Sequence, residues 1–241
     1  MVNTSFFRAL LVLCVTVTGF TSAEYFQGDG TAYTLGQVSS GNCNFMSYNS
    51  LAPTNYAALN EVQWNNLGNC GRCAQVSCVD SQCADQTASA IVQIVDRCPE
   101  CKYGDLDLSP TVFKAVTGFD SSRLKIHWQF VDCPSPETIQ ICLKQGSNGF
   151  WVAVQPTNTL VGVRSVSING QAANMLDGAY YYVVSSSKPN GENLSEVRVT
   201  LTSVNSEVIE GTYSLTAGQC TNTYRQFTTK SSKCSIRRNR N

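Results

Sequence analysis

Two carboxylates stand out by position in the stretch from Ile91 to Phe113, IVQIVDRCPECKYGDLDLSPTVF. Asp96 closes a short apolar run, a turn carrying Cys98 and Cys101 follows, and Asp107 comes just before a Ser109-Pro110 helix start. Two carboxyl groups delivered by adjacent loops are the raw material for acid/base work on a sugar or an ester. The same residues also suit a strand end and a cap. The cysteines open another chemistry, since Cys70-Gly-Arg-Cys73 and Cys98-Pro-Glu-Cys101 have the spacing of two halves of a four-cysteine zinc site.

The start of the chain bears on that choice. Arg8 precedes an apolar run, Ala9 to Val17, and Thr21-Ser22-Ala23 offers small residues for a cut after Ala23. This is the pattern of a secretory signal peptide over residues 1–23, too short for a membrane span. The expected product is secreted, extracellular or wall-bound, with no membrane or nucleic-acid partner. Export favours a disulfide framework made by Cys43, Cys70, Cys73, Cys78, Cys83, Cys98, Cys101 and Cys133, with no metal and no cofactor. The pairing is left open. Cys142, Cys220 and Cys234 lie beyond and leave one odd cysteine.

Formal net charge is zero, but the halves differ. Residues 24–136 hold 11 Asp/Glu against 6 Lys/Arg, and residues 137–241 hold 10 Lys/Arg against 6 Asp/Glu. Much of the later excess is terminal: Arg225, Lys230, Lys233, Arg237, Arg238 and Arg240. A basic tail over 226–241 is either a solvated end or a hold on an acidic polysaccharide.

The elements that must position the carboxylates are mostly strands. Ala74, Val76 and Cys78 alternate with polar residues, Ala90 to Val95 is apolar almost throughout, and Leu124, Ile126, Trp128 and Phe130 share one face of a strand. That alternation puts His127, the one histidine, on the polar face. Pro53-Thr54 predicts a helix over about Asn55–Leu67, and Ser109-Pro110 predicts a short one after Asp107. Pro134-Ser135-Pro136 makes a stiff linker over 134–136. Beyond it helix signals vanish, and apolar runs at 150–154, 160–168, 180–184, 197–201 and 208–215 predict a β-sandwich. Asn193-Leu194-Ser195 is a glycosylation sequon.

In this order the motifs become specific. Thr31-Ala32-Tyr33, Cys70-Gly-Arg-Cys73, Asp96-Arg-Cys98-Pro99, Asp105-Leu-Asp107-Leu-Ser-Pro110 and Trp128-Gln-Phe-Val-Asp-Cys-Pro134, followed by about 100 sandwich residues, resemble the expansins. The likeness is to microbial and lower-eukaryotic expansin-like proteins more than to plant ones. The resemblance implies an all-β chain of two domains. A six-stranded double-psi β-barrel like that of family-45 endoglucanases would occupy 24–133, and an immunoglobulin-like, cellulose-binding sandwich 137–225. Asp107 then matches the aspartate on which wall loosening depends, Asp96 its neighbour, and Thr31 and Tyr33 the strand lining the same groove. Cys98 stands where bacterial relatives carry a groove tyrosine.

The inverting endoglucanases that share this barrel put a catalytic base two residues after the tyrosine of Thr-x-Tyr, and here that position is Leu35. The resemblance therefore implies non-hydrolytic loosening of cellulose and associated wall glucans. Two alternatives stay open: an inverting endo-β-1,4-glucanase using Asp107 as acid, and a non-catalytic wall- or matrix-binding protein. In the second domain, Phe150 and Trp151 match adjacent surface aromatics, with a third expected from Tyr180 or Tyr182. Flat rings suit sugar faces. Adjacent strand residues face opposite ways, so both rings serve one platform only if the chain bends near Gly149.

Overall fold

Six strands from the first half close on themselves: β1 (Phe26–Ala32), β2 (Tyr56–Asn60), β3 (Cys73–Cys78), β4 (Ser89–Cys98), β5 (Leu106–Leu108) and β6 (Leu124–Val131). The computed structural model describes residues 25–134 and 137–229, so the expected signal peptide, Cys14, Cys234, Ser135 and Pro136 of the linker and the residues from Lys230 lie outside it. Around the barrel the order is β1-β5-β2-β4-β3-β6. The β1–β5 and β2–β4 pairs are parallel and the other four antiparallel, and closure leaves no open sheet edge. Leu59, Ile94, Leu106, Leu108, Leu124, Ile126 and Trp128 are fully buried inside. This is a double-psi barrel.

The stretch 55–67 corrects the sequence reading. Ala57, Ala58 and Leu59 favour a helix in isolation, yet they form β2, buried along its whole length between β4 and β5. Only Glu61–Trp64 is helical (α1), capped by the Asn60 side chain on the Gln63 N–H. After it, Asn65, Asn66 and Leu67 all take left-handed backbone, with φ of 50°, 47° and 70°. Such a run of side-chain-bearing residues costs roughly 1–2 kcal/mol each. It is held by the Asn69 amide on the Gln63 carbonyl at 2.6 Å and by the Cys43–Cys70 disulfide. The helix after Asp107 forms as Pro110–Thr117 (α2), with Ser109 capping Val112 N–H and Gly118 closing it at φ 86°.

The second half makes two sheets. Strands β7 (Gln140–Leu143), β8 (Trp151–Thr157), β11 (Asn174–Met175), β12 (Tyr182–Ser185) and β15 (Cys220–Asn222) form one, in the order β11-β12-β8-β7-β15. Strands β9 (Val163–Ile168), β10 (Gln171–Ala172), β13 (Val197–Ser203) and β14 (Val208–Tyr213) form the other, as β10-β9-β13-β14. They enclose Val152, Val154, Val184, Val166, Ile168, Val199 and Leu201 in an immunoglobulin-like sandwich.

Among the described residues five disulfides stitch the chain: Cys43–Cys70, Cys73–Cys133, Cys78–Cys83, Cys98–Cys101 and Cys142–Cys220. Because Cys70 and Cys73 bond to different partners away from Cys98 and Cys101, the four-cysteine zinc reading does not hold.

A buried amide lies at the centre of the joint between the domains. Gln155 is 0% exposed. It accepts the Met46 N–H at 2.8 Å and donates to the carbonyls of Asn44 and Tyr180 at 3.0 Å each and of Cys43 at 3.4 Å. Nearby the Arg72 guanidinium lies 3.5 Å from the centre of the Phe130 ring and packs under Gly162, while Cys133 N–H donates to the Leu160 carbonyl at 2.8 Å.

Candidate functional site

The groove begins with strand register. Thr31 faces Asp107 across β1 and β5, Asp107 faces Ala58 across β5 and β2, and Ala58 faces Asp96 across β2 and β4. Four adjacent strands therefore present Thr31, Asp107, Ala58 and Asp96 in one row. With strands about 4.8 Å apart, the two aspartate Cα atoms stand about 10 Å from each other. Ala58, the smallest of the four, is the floor between the carboxylates.

Asp96 is aimed by a β-bulge. Ala57 faces Ile94 but Ala58 faces Asp96, so Val95 is the surplus residue that bends β4. The Val95 carbonyl accepts the Cys43 N–H at 3.1 Å. Asp96 Oδ1 accepts the N–H groups of Asn42 at 2.8 Å and Arg97 at 2.9 Å. This close approach needs Gly41, where an added Cβ would meet the Val95 oxygen at 2.4 Å. Asp96 thus lies within β4, two residues from its end.

Asp107 is half-buried in the middle of β5 and accepts a hydrogen bond from the Thr31 hydroxyl. Burial raises its carboxyl above the usual carboxylate range. The charge of Glu100 adds to this, Arg123 opposes it, and Asp105 and Asp96 contribute further. A carboxyl so placed keeps its proton to higher pH and can donate it or share it in a hydrogen bond. Asp105 anchors the strand's approach: its Oδ1 accepts Asp29 N–H at 2.7 Å and its Oδ2 accepts Lys102 N–H at 2.9 Å.

Tyr33 packs edge-on against Tyr56 at 5.4 Å, and its hydroxyl is buried without a hydrogen-bond partner among the described residues. Burial first, then the charge of Asp96, pushes the phenol well above its ordinary range, so it stays a donor. The groove wall beside Asp107 is the Cys98–Cys101 disulfide, whose sulfurs lie within 4.8 Å of an Asp107 carboxylate oxygen.

The position expected of a base is apolar. Leu35 packs on the core, and its N–H donates to the Tyr56 hydroxyl at 3.1 Å. Asp29 belongs to the same strand as Thr31, but its carboxylate is bound by Lys125 and, at 3.5 Å, by Arg123. The Lys125 hydrogen bond lowers its pKa, leaving it a weak acceptor of protons. His127 lies against the Tyr25 ring, 5.3 Å between centroids.

In the sandwich, Phe150 and Trp151 escape strict alternation because Phe150 is outside the strand. Asn148 and Trp151 bridge across a tight turn with Gly149-Phe150 at its tip, and Asn148 Oδ1 accepts both the Phe150 N–H at 2.9 Å and the Trp151 N–H at 3.3 Å. Phe150 is 55% exposed, and Trp151, partly exposed, opens β8 beside Ser185.

Tyr180 and Tyr182 correct the expectation of a third platform ring: they are 2% and 4% exposed. Tyr180 is trapped in the domain joint, its N–H on the Cys43 carbonyl at 3.3 Å and its ring against Phe45 at 5.8 Å. Tyr182 faces the sandwich core with its hydroxyl on the Val163 carbonyl at 3.2 Å. A sugar face cannot reach either. Asn193 lies in an exposed loop.

Residues missed by sequence reasoning are Ala58, Gly41 and Gln155. Only Gly41 left a trace, as a glycine before a cysteine in a polar loop. Gln155 connects groove to platform: loop 41–46 touches Asp96 at Asn42 and Gln155 at Cys43, Asn44 and Met46. Gln155, Ala153 and Trp151 then follow one face of β8, so Trp151 lies about 14 Å along the strand from the joint.

A family model described as lytic transglycolase matches residues 56–127, within the barrel. Expansin-like protein 3 of Dictyostelium discoideum is 28% identical over 184 residues, covering 71% of this chain and 52% of that protein. Expansin-like protein 5 of the same organism is 27% identical over 191 residues, 76% and 74% of the two chains. Expansin-YoaJ of Bacillus subtilis (strain 168) is 28% identical over 123 residues, 50% and 51%. The chain thus spans about half the length of two of these relatives.

The crystal structure of apo expansin from Clavibacter michiganensis matches with a TM-score of 0.71 at 23% identity, over 86% of this chain and 99% of that one. An Asp-to-Asn mutant of the same protein in complex with cellohexaose matches with a TM-score of 0.71 at 22% identity. By sequence across most of its length this chain is similar to expansin-like proteins, and its two-domain fold is that of a bacterial expansin.

Proposed function

We propose that this chain is a secreted, expansin-like protein that binds cellulose and associated wall glucans and loosens them without hydrolysis. Its mature form comprises a barrel domain over 24–133, a linker over 134–136 and a sandwich domain over 137–225, with the signal peptide 1–23 removed. Gln226 and Phe227, expected in the tail 226–241, pack with the sandwich, Phe227 being 2% exposed and Gln226 accepting the Leu160 N–H at 2.9 Å; the basic residues beyond them hold acidic polysaccharide in this reading, and Asn193 carries a glycan.

The carrying observation is an acid without its base. Asp107 sits in the row Thr31–Asp107–Ala58–Asp96 with its carboxyl pKa raised by burial, so that it keeps its proton to higher pH than an ordinary carboxylate, while Leu35 fills the position an inverting enzyme gives to its base. Inverting hydrolysis needs both groups. An unaccompanied acid donates a hydrogen bond to a glycosidic or hydroxyl oxygen, Asp96 accepts from a neighbouring hydroxyl while Tyr33, its own hydroxyl buried, shapes the wall behind it, and a glucan strand is drawn from the hydrogen bonds it makes with its neighbours. Phe150 and Trp151 stack on sugar faces and keep the strand against the protein. The cellohexaose bound by the mutant Clavibacter michiganensis expansin supports a linear β-glucan as the ligand class.

One observation favours a second reading. The lytic transglycolase model matches residues 56–127 of the barrel, and in an enzyme of that kind Asp107 would protonate the leaving oxygen during glycan cleavage. The test measures creep of cellulose paper and heat-killed wall together with reducing ends released, for wild type and Asp107→Asn. Weakening with no new reducing ends and no shortening of the glycan chains, lost in the mutant, supports loosening. Bond cleavage lost in the mutant replaces it with the second reading, and binding alone reduces the protein to a wall-binding module.

A further inference from the structure

A polar pocket of about 320 Å³ opens where barrel and sandwich meet. Asn42, Glu61, Asn66 and Arg97 line it from the barrel, Asp177 from the sandwich, and Trp64 forms part of its wall. Its size is at the small end for small-molecule sites, which start at about 300 Å³. The pocket touches the groove through two neighbours of Asp96: Asn42, whose N–H binds the Asp96 carboxylate, and Arg97, the next residue in β4. It touches the platform sheet through Asp177, in the connection between β11 and β12. It therefore lies beside the path from Asp96 to Trp151.

Two features mark it as more than a seam. One is the left-handed run Asn65–Leu67, whose last two residues line the pocket. Backbone strain of this kind persists where surrounding structure enforces it, and it clusters at ligand sites. The other is the chemistry of the wall. Carboxylates, carboxamides and a guanidinium offer what the hydroxyls of a sugar ring need, acceptors and donors together, over a floor closed by the largely buried Trp64. Arg97 is paired with Glu61 at 3.3 Å, so the remaining Asp177 sets a negative balance. An acidic sugar would be repelled.

We propose that this pocket is a subsite for a neutral side-chain sugar carried by a β-1,4-glucan whose main chain runs from the groove to the Phe150–Trp151 platform. The proposal rests on the glucan-binding reading above. A branch seated there would fix the register of the main chain over Asp107, making the protein select substituted chains over bare ones.

The test compares affinities for cellotetraose, for a heptasaccharide with the same four-glucose backbone bearing xylose branches, and for cellohexaose. Wild type, Asp177→Ala and Arg97→Ala are titrated in parallel. Wild type should bind the branched compound about tenfold more tightly than cellotetraose, the worth of one or two satisfied hydrogen bonds. Both variants should lose that preference while keeping wild-type affinity for cellohexaose. Equal wild-type affinity for branched and bare tetraglucose, with cellohexaose still bound, overturns the subsite alone. Preference retained in both variants does the same by placing the branch elsewhere. A wild type that fails to bind cellohexaose brings down the glucan reading, and the subsite with it.

Discussion

Replacing Gln155 by methionine should uncouple the two domains. The side chains are similar in length, so the substitution fills the space and removes only the polar groups. Three partners then lose their bond: the Met46 N–H and the carbonyls of Asn44 and Tyr180. The Cys43 carbonyl keeps the Tyr180 N–H. A buried group left unpaired costs about 1–3 kcal/mol. Taking the low end for each, because loop 43–46 is at the domain seam and can admit water, gives about 3 kcal/mol. For a chain of this size that lowers the thermal midpoint by about 6–12 °C. Differential scanning calorimetry measures the midpoint, and small-angle scattering reports whether the domains separate. If Gln155→Met melts within about 2 °C of wild type with an unchanged scattering profile, the amide does not hold the joint. The alignment of groove and platform would then have to come from the Arg72–Phe130 and Cys133–Leu160 contacts.

Three further outcomes follow from the groove and platform. Gly41→Ala drives a methyl into the Val95 carbonyl and must shift the bulge that aims Asp96; overpacking of this kind costs about 1–3 kcal/mol, and wall weakening should fall while a circular-dichroism spectrum stays that of the wild type. Phe150→Ala should weaken cellulose binding about 2- to 12-fold, the range for a lost aromatic contact, whereas Tyr182→Phe should leave binding unchanged; pull-down on insoluble cellulose separates them. Asp107→Asn should raise the thermal midpoint at neutral pH. The folded state lifts the Asp107 pKa, so the ionised group destabilises the fold above that raised value, and the penalty fades as pH falls through it towards the unfolded carboxylate range. The advantage of the mutant should therefore shrink on acidification, read by melts across pH 3–8.

Local patterns carried most of what the sequence could say about the barrel. Leu124, Ile126 and Trp128 alternate because one face of β6 is the barrel interior, and Ser109-Pro110 caps and starts α2 with groups adjacent in the chain. β2 was illegible for the opposite reason. Tyr-Ala-Ala-Leu-Asn has no alternation, since both faces are buried, and its alanines favour a helix until β4 and β5 pair with it on either side. The same limit applied to Tyr180 and Tyr182: alternation placed them together but could not say that one side was the domain joint and the other the core. Disulfide pairing was open for a similar reason, because Cys70 and Cys73 are close in sequence and bond to Cys43 and Cys133.

The groove was readable as residue types, and its geometry was not. Asp107 and Thr31 are 76 positions apart in the chain, and nothing in either motif says that parallel β1–β5 pairing makes them neighbours. Asp96 depends on a bulge, on a glycine 55 residues earlier and on the N–H of Asn42. The path from groove to platform is less visible still. Loop 41–46 works almost entirely through main-chain groups, presenting N–H to Asp96 and both N–H and carbonyl to Gln155. Any residue supplies those groups, so side-chain identity there records little, apart from the glycine that lets the loop approach and the cysteine that ties it to Cys70. The cooperation of the two domains is thus written in backbone geometry, and the loop that enforces it is the part of the chain with the least to read.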